Sequence, residues 1–241
     1  MKLGIMQPYF FPYLGYFDLL NSVDLLIVSD LTQYVKESWM NRNRILHPNK
    51  STWQYITVPV DKASFRNSYR TPILEIKVVR DKKWKQHMIG QLSHYNKIAP
   101  GADSTIDFVR KCLEIEEDFL ARLNVHILAQ CAKLLKIDFR YRLMSELGIE
   151  LNLERSAEER ILDVCKFLGA TEYVNLPGGK GLYHQDVFAI HNIKLTFRNL
   201  PSLMYSTGSY IFEPNLSIVD VLMWNTAETV KNYLDQQLDK G

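Results

Sequence analysis

The 241-residue chain carries a formal charge of +2 and is 46% hydrophobic and 23% charged. That balance belongs to a globular protein able to bury a sizeable core, and it is too near neutral to argue for nucleic acid or an anionic membrane surface as partner. No apolar run approaches the ~20 residues of a membrane span.

Met1-Lys2 leads straight into a strand-like run, so no signal peptide is expected and the expected location is the cytoplasm. Cys112, Cys131 and Cys165 share no short spacing, which fits reduced core thiols and no metal. Leu3 to Met6 predicts a short buried strand. Pro8 and Pro12 then bar strand and helix alike from Gln7 to Pro12. From Tyr13, the spacing of Leu14, Phe17 and Leu20 predicts a helix over 13–22, and Leu25 to Val28 a second strand. Strand, loop, helix and strand in this order build a parallel crossover. Ligands of such sheets bind at the carboxyl ends of the strands, here Gln7-Pro8-Tyr9 and Ser29-Asp30. Between Tyr9 and Phe17 lie Tyr9, Tyr13 and Tyr16 with Phe10, Phe11 and Phe17. A plug of aromatic core explains the phenylalanines; Gln7 and the Tyr13/Tyr16 pair suit a ring-bearing ligand such as a base or a sugar.

Residues 31–50 read as a long polar loop with aromatic anchors, Tyr34 and Trp39, ahead of Asn41, Arg42, Asn43 and Arg44. On an extended backbone Arg42 and Arg44 share a face, where two guanidinium forks suit a phosphate or carboxylate; a solvated turn is the plainer alternative. Trp53, Tyr55 and Thr57 alternate with Ile56 and Val58 in a predicted strand. A polar turn with Arg66 and Arg70 follows, then a strand over 73–79 and a helix over 81–95 carrying His87 and His94. Their seven-residue separation does not suit joint metal ligation. Helices are predicted near 103–111 and 116–136, a strand over 137–143, and a helix opened by the capping box Ser156/Glu159 and closed at Gly169. A strand over 171–174, a glycine loop, a short helix near 184–191, a strand over 193–197 and helices from 216 to 238 complete the chain. The expected fold is α/β: a Rossmann-like, largely parallel sheet flanked by helices, in a single domain over 1–241 with a helical insert about 103–136 and a second α/β unit about 156–200.

Pro177-Gly178-Gly179-Lys180-Gly181 follows a predicted strand directly. Glycine backbone and a lysine can cradle an anion, although a tight turn with a surface lysine needs no ligand and the spacing is not that of a P-loop. No Gly-x-Ser-x-Gly elbow and no His/His or carboxylate cluster of metal-ligand spacing occurs. His94, at the end of a helix, is a candidate base, although a lone histidine is more often structural.

Gln7-Pro8-Tyr9-Phe10-Phe11-Pro12-Tyr13-Leu14-Gly15-Tyr16, Trp39-Met40-Asn41-Arg42-Asn43-Arg44-Ile45, Gly169-Ala170-Thr171-Glu172-Tyr173 and Leu216-Ser217-Ile218-Val219-Asp220 resemble the WbqC-like family of bacterial proteins over nearly the whole chain. One departure is Tyr205-Ser206-Thr207, where family members carry Tyr-Pro-Gln. The resemblance implies a cytoplasmic bacterial protein of surface-polysaccharide (O-antigen) synthesis, and acyl or aminoacyl (glycyl) transfer to the amino group of a nucleotide-linked amino sugar. Under that expectation His94 and Asp30 are candidate bases. Arg42, Arg44 and Lys180 hold the diphosphate, with Gly178 and Gly179 beside it. Gln7 and Tyr13 hold the sugar or base, and Tyr9, Tyr16, Tyr34, Trp39 and Asn41 complete the expected substrate-binding set. The partners are then the nucleotide-linked sugar and an acyl or aminoacyl donor, with no cofactor. An alternative is a nucleotidyltransferase or ATP-dependent ligase: Tyr13-Leu14-Gly15-Tyr16 sits where adenylate-forming Rossmann-like proteins carry His-x-Gly-His, and ATP is then the nucleotide. A tyrosine donates a hydrogen bond but stays neutral at pH 7. A non-catalytic nucleotide-sugar-binding module is the third reading.

Overall fold

A computed structural model describes residues 1–65, 71–152, 154–199 and 201–238. The turn containing Arg66 and Arg70 lies outside the described residues. Five parallel strands form the main sheet: β1 (Lys2–Met6), β2 (Leu25–Val28), β5 (Tyr141–Leu143), β6 (Glu172–Asn175) and β7 (Lys194–Phe197), in the order β5-β2-β1-β6-β7. The predicted crossover is present, with α1 (Leu14–Ser22) joining β1 to β2 and Leu3 paired with Leu25. A separate antiparallel hairpin, β3 (Arg42–Leu46) and β4 (Trp53–Thr57), stands beside the sheet.

Strand side chains alternate between two cores. Leu3, Ile5, Ile27 and Tyr173 pack on one face against Leu162, Val164 and Cys165 of α5 (Ala157–Phe167) and Phe188 of α6 (Gln185–Ala189). Leu26, Val28 and Val174 face α1 and α8 (Ala227–Leu238), which contributes Val230 and Leu234. With both faces covered at the centre of the sheet, β1 and β2 read as short continuous apolar runs, as buried parallel strands do. The capping box of α5 forms as predicted, and Gly169 closes the helix at φ 66°. Helices α2 (Lys83–Leu92), α3 (Ala102–Leu113) and α4 (Leu120–Leu134) fall between the hairpin and β5; α7 (Ile218–Trp224) packs on α3 and β3.

Two expectations are corrected. The loop over 31–50 contains β3, because Asn43 turns inward and is held by hydrogen bonds rather than by apolar burial. The strand over 73–79 is instead a 3₁₀ turn, Ile73–Glu75, followed by isolated bridges from Lys77 to Phe119 and from Val78 to Val60. Its buried Ile73, Ile76 and Val78 supply the apolar signal without a continuous ladder partner. Among the described residues, no helix is long and apolar enough to cross a membrane.

Candidate functional site

From β1 the chain runs outward to β2 and β5, and from β6 outward the other way to β7. Connections diverge at the β1/β6 boundary, and a crevice opens there at the carboxyl ends of the strands. A cleft of ≈ 550 Å³ occupies this position, a size usual for small-molecule sites. Tyr9 and Tyr13 enter it from behind β1, Gly178 from behind β6, and Arg198 and Asn199 from behind β7. Arg44 and Trp39 come from the hairpin side, and Tyr205, Phe212 and Glu213 from the segment before α7.

The 7–12 loop is held open by buried amides. Asn124 Nδ2 donates to the carbonyls of Pro8 (2.9 Å) and Met40 (2.7 Å). Asn43 Nδ2 donates to those of Phe10 (3.1 Å) and Phe11 (2.9 Å), and Ser217 Oγ to Phe11 O at 2.7 Å. Phe11 has φ 37°, a costly backbone for a phenylalanine, and these bonds to its carbonyl fix it. Gly15 lets the Tyr13 ring lie on the helix start: a Cβ there would stand 2.5 Å from Tyr13 Cε2. Burial raises the Tyr13 hydroxyl to about 12, with Tyr9 and Asp18 adding to the shift, so it is a neutral donor at neutral pH.

Arg44 Nη2 reaches Asn215 O at 3.4 Å and Nη1 reaches Glu213 at 3.9 Å, both long. Its Nε is buried and has no hydrogen-bond partner among the described residues. The guanidinium lies 5.1 Å from the centre of the Trp53 ring and 5.5 Å from that of Trp39. Arg198 is differently engaged: Nε and Nη2 each donate to the Asp18 carboxylate at 2.8 Å, and Nη2 also to Gln237 O at 3.0 Å. Behind Tyr205, whose hydroxyl is 3.5 Å from it, Asp220 is fully buried. Tyr95 Oη and the Leu46 N–H also donate to it. Burial lifts its carboxyl to about 6 against these bonds.

Of the residues expected from sequence, Tyr9, Tyr13, Trp39, Arg44 and Gly178 share this cleft. The others do not line it. Tyr16 is fully buried and donates to Gln7 O at 2.8 Å, which leaves it no face for a phosphate; Gln7 sits half-buried behind it. Tyr34 and Asn41 are buried, Asn41 donating to Val58 O at 3.2 Å. Arg42 shares the hairpin face with Arg44 but pairs with Glu37 at 3.5 Å and lies 3.8 Å over the Tyr55 ring. The glycine stretch forms a 3₁₀ turn, Pro177–Gly179, which presents Gly178 to the cleft, buries Gly179 and leaves Lys180 exposed outside the lining. Asp30 is buried and accepts from Ser145 N (3.0 Å) and Oγ (2.5 Å), tying β2 to the turn after β5. His94 lies tilted against the Tyr95 ring, 4.0 Å between ring centres, and donates Nδ1–H to Gln91 O; burial lowers its pKa.

Sequence reasoning missed Arg198, Glu213 and Tyr205. They flank Pro201 and Pro214 in a stretch without strong periodicity, and only the three-dimensional path brings them to residue 9. Among the residues lining the cleft, Glu213 is the one carboxylate.

The model of the WbqC-like protein family matches residues 7–232. The chain is 31% identical over 236 residues to the uncharacterized protein Rv1507c of Mycobacterium tuberculosis (strain ATCC 25618 / H37Rv), covering 97% of each chain. No solved structure matches the chain. Matched across most of its length, from the aromatic loop to α8, the chain belongs to the WbqC-like protein family.

Proposed function

We propose that this protein binds a nucleotide-linked amino sugar in the switch-point cleft and transfers an acyl or aminoacyl group, glycyl among them, to its amino nitrogen in bacterial surface-polysaccharide synthesis. The observation that carries the reading is Arg44: a cation on the cleft wall with a buried, unpartnered Nε and only long contacts at its other nitrogens. A buried donor without a partner costs stability, and a diphosphate supplies the missing acceptors in the planar geometry a guanidinium favours. Tyr9 and Tyr13 offer neutral hydroxyls to sugar oxygens. The amine must attack as the free base. Its nitrogen bonds to the acyl carbon, the donor's leaving group departs, and the amine proton passes to Glu213. Glu213 takes the role expected of His94 and Asp30 because it lines the cleft and they do not. Tyr16 lies in the core, so nothing favours the adenylyl-transfer alternative that rests on the Tyr13/Tyr16 pair.

Calorimetric titration with UDP-, dTDP- and GDP-linked amino sugars tests binding, and mass spectrometry after adding acyl donors tests transfer. Arg44→Met keeps the apolar stem and removes the charged donor, so affinity should fall about 10- to 150-fold, the worth of one charge-assisted hydrogen bond. Pyrophosphate release from ATP, or no binding of any nucleotide sugar by a folded protein, would overturn the reading.

A further inference from the structure

One half-buried face of the β3–β4 hairpin interleaves arginines with aromatic rings. Arg44 stands opposite Tyr55 and Leu46 opposite Trp53, so Arg42, Arg44, Trp53 and Tyr55 point the same way. Arg42 lies over Tyr55 at 3.8 Å; Trp53 and Tyr55 meet edge to face at 4.9 Å. Trp39, from the loop before β3, adds a ring 6.4 Å from Tyr55 and 39% exposed. Only Trp39 and Arg44 of this group also line the cleft. A solvated indole costs water–apolar contact unless something covers it, and this one stands beside a guanidinium whose Nε has no acceptor among the described residues and whose other contacts are long. Flat π-surface next to an anion-binding fork is the chemistry of a nucleotide: the base stacks and the phosphates pair. A free sugar needs no cation, and an inorganic phosphate needs no indole.

Resting on the binding reading above, we propose that the ligand lies in one direction through the cleft. Its nucleobase stacks on Trp39 at the hairpin end, its diphosphate sits on Arg44, and its sugar points to Tyr9, Tyr13 and Gly178. The base is then held by stacking rather than by edge hydrogen bonds, so discrimination among bases is shallow.

The test titrates UDP, dTDP, GDP and inorganic pyrophosphate into wild type, Trp39→Ala and Trp39→Phe. For the nucleoside diphosphates, Trp39→Ala should weaken binding about 5- to 150-fold, the worth of one base–aromatic stack. Trp39→Phe should restore most of it, and pyrophosphate should bind all three proteins alike. Equal affinity of wild type and Trp39→Ala for the nucleotides overturns the orientation while leaving the cleft reading intact. Equal losses for nucleotide and pyrophosphate also overturn it, because Trp39 would then act only by supporting Arg44. If no nucleoside diphosphate binds wild type, the binding reading fails and this assignment with it.

Discussion

Arg198→Met should lower the unfolding free energy by about 3–5 kcal/mol, the usual cost of leaving one member of a buried ion pair alone. Asp18 is 1% exposed on its side chain and Arg198 11%. The fork geometry, both nitrogens at 2.8 Å, is what makes the pair tolerable in an apolar setting. The pair joins the end of β7 to α1, and the bond to Gln237 O adds α8, so three elements loosen together. Arg198→Lys should lose less but not nothing, because a point charge cannot make both contacts. The double variant Asp18→Leu/Arg198→Met removes both charges and should recover most of the loss. Urea unfolding of the three variants measures this. A single variant within about 1 kcal/mol of wild type would show that the pair is a solvated contact.

The second large effect is a pH dependence centred on Asp220. Its folded pKa is raised from 3.8 to about 6, so the protonated carboxyl is the better-tolerated form in the fold. A group raised in this way contributes stability that is full below about 3.8 and lost as pH rises through about 6. Asp220→Asn cannot titrate, keeps an oxygen for the Leu46 N–H and Tyr95 Oη, and offers an N–H₂ towards Tyr205. The stability difference between wild type and Asp220→Asn should therefore move in favour of the asparagine by up to about 3 kcal/mol between pH 4 and pH 7. Comparing the two proteins cancels the other carboxylates. A difference that is flat with pH would mean that Asp220 is ionised throughout, held by Tyr95 and Leu46.

How much of the fold and the site is legible in the sequence follows from the range of the interactions. The β1–α1–β2 crossover could be read because Leu3 to Met6, the two prolines and the Leu14/Phe17/Leu20 spacing are all local signals. The Ser156/Glu159 capping box is equally local and is present. β3 could not be read, because Asn43 is a poor strand former whose place depends on carbonyls more than thirty residues away, at Phe10 and Phe11. The same holds for the site. Trp39 and Arg44 were visible as an aromatic–arginine stretch, but its outward face could not be divided between cleft and flank, which separates Arg44 from Arg42. In the sequence, charge and glycine neighbours single out Lys180. A single 3₁₀ turn decides instead that Gly178 faces the cleft and the lysine faces away. Arg198 and Glu213 carry no local signal, since each matters only through a partner brought close by the sheet order.

A crystal structure of the protein grown with the tightest-binding nucleotide-linked amino sugar tests the central claim most directly. The account predicts ligand density in the cleft at the β1/β6 boundary, with a phosphate oxygen within 3.2 Å of an Arg44 nitrogen by ordinary hydrogen-bond geometry, and the amino sugar beside Tyr13, Gly178 and Glu213. Density against Lys180 or on the far side of β2 near Asp30, with the cleft holding only water, would contradict it.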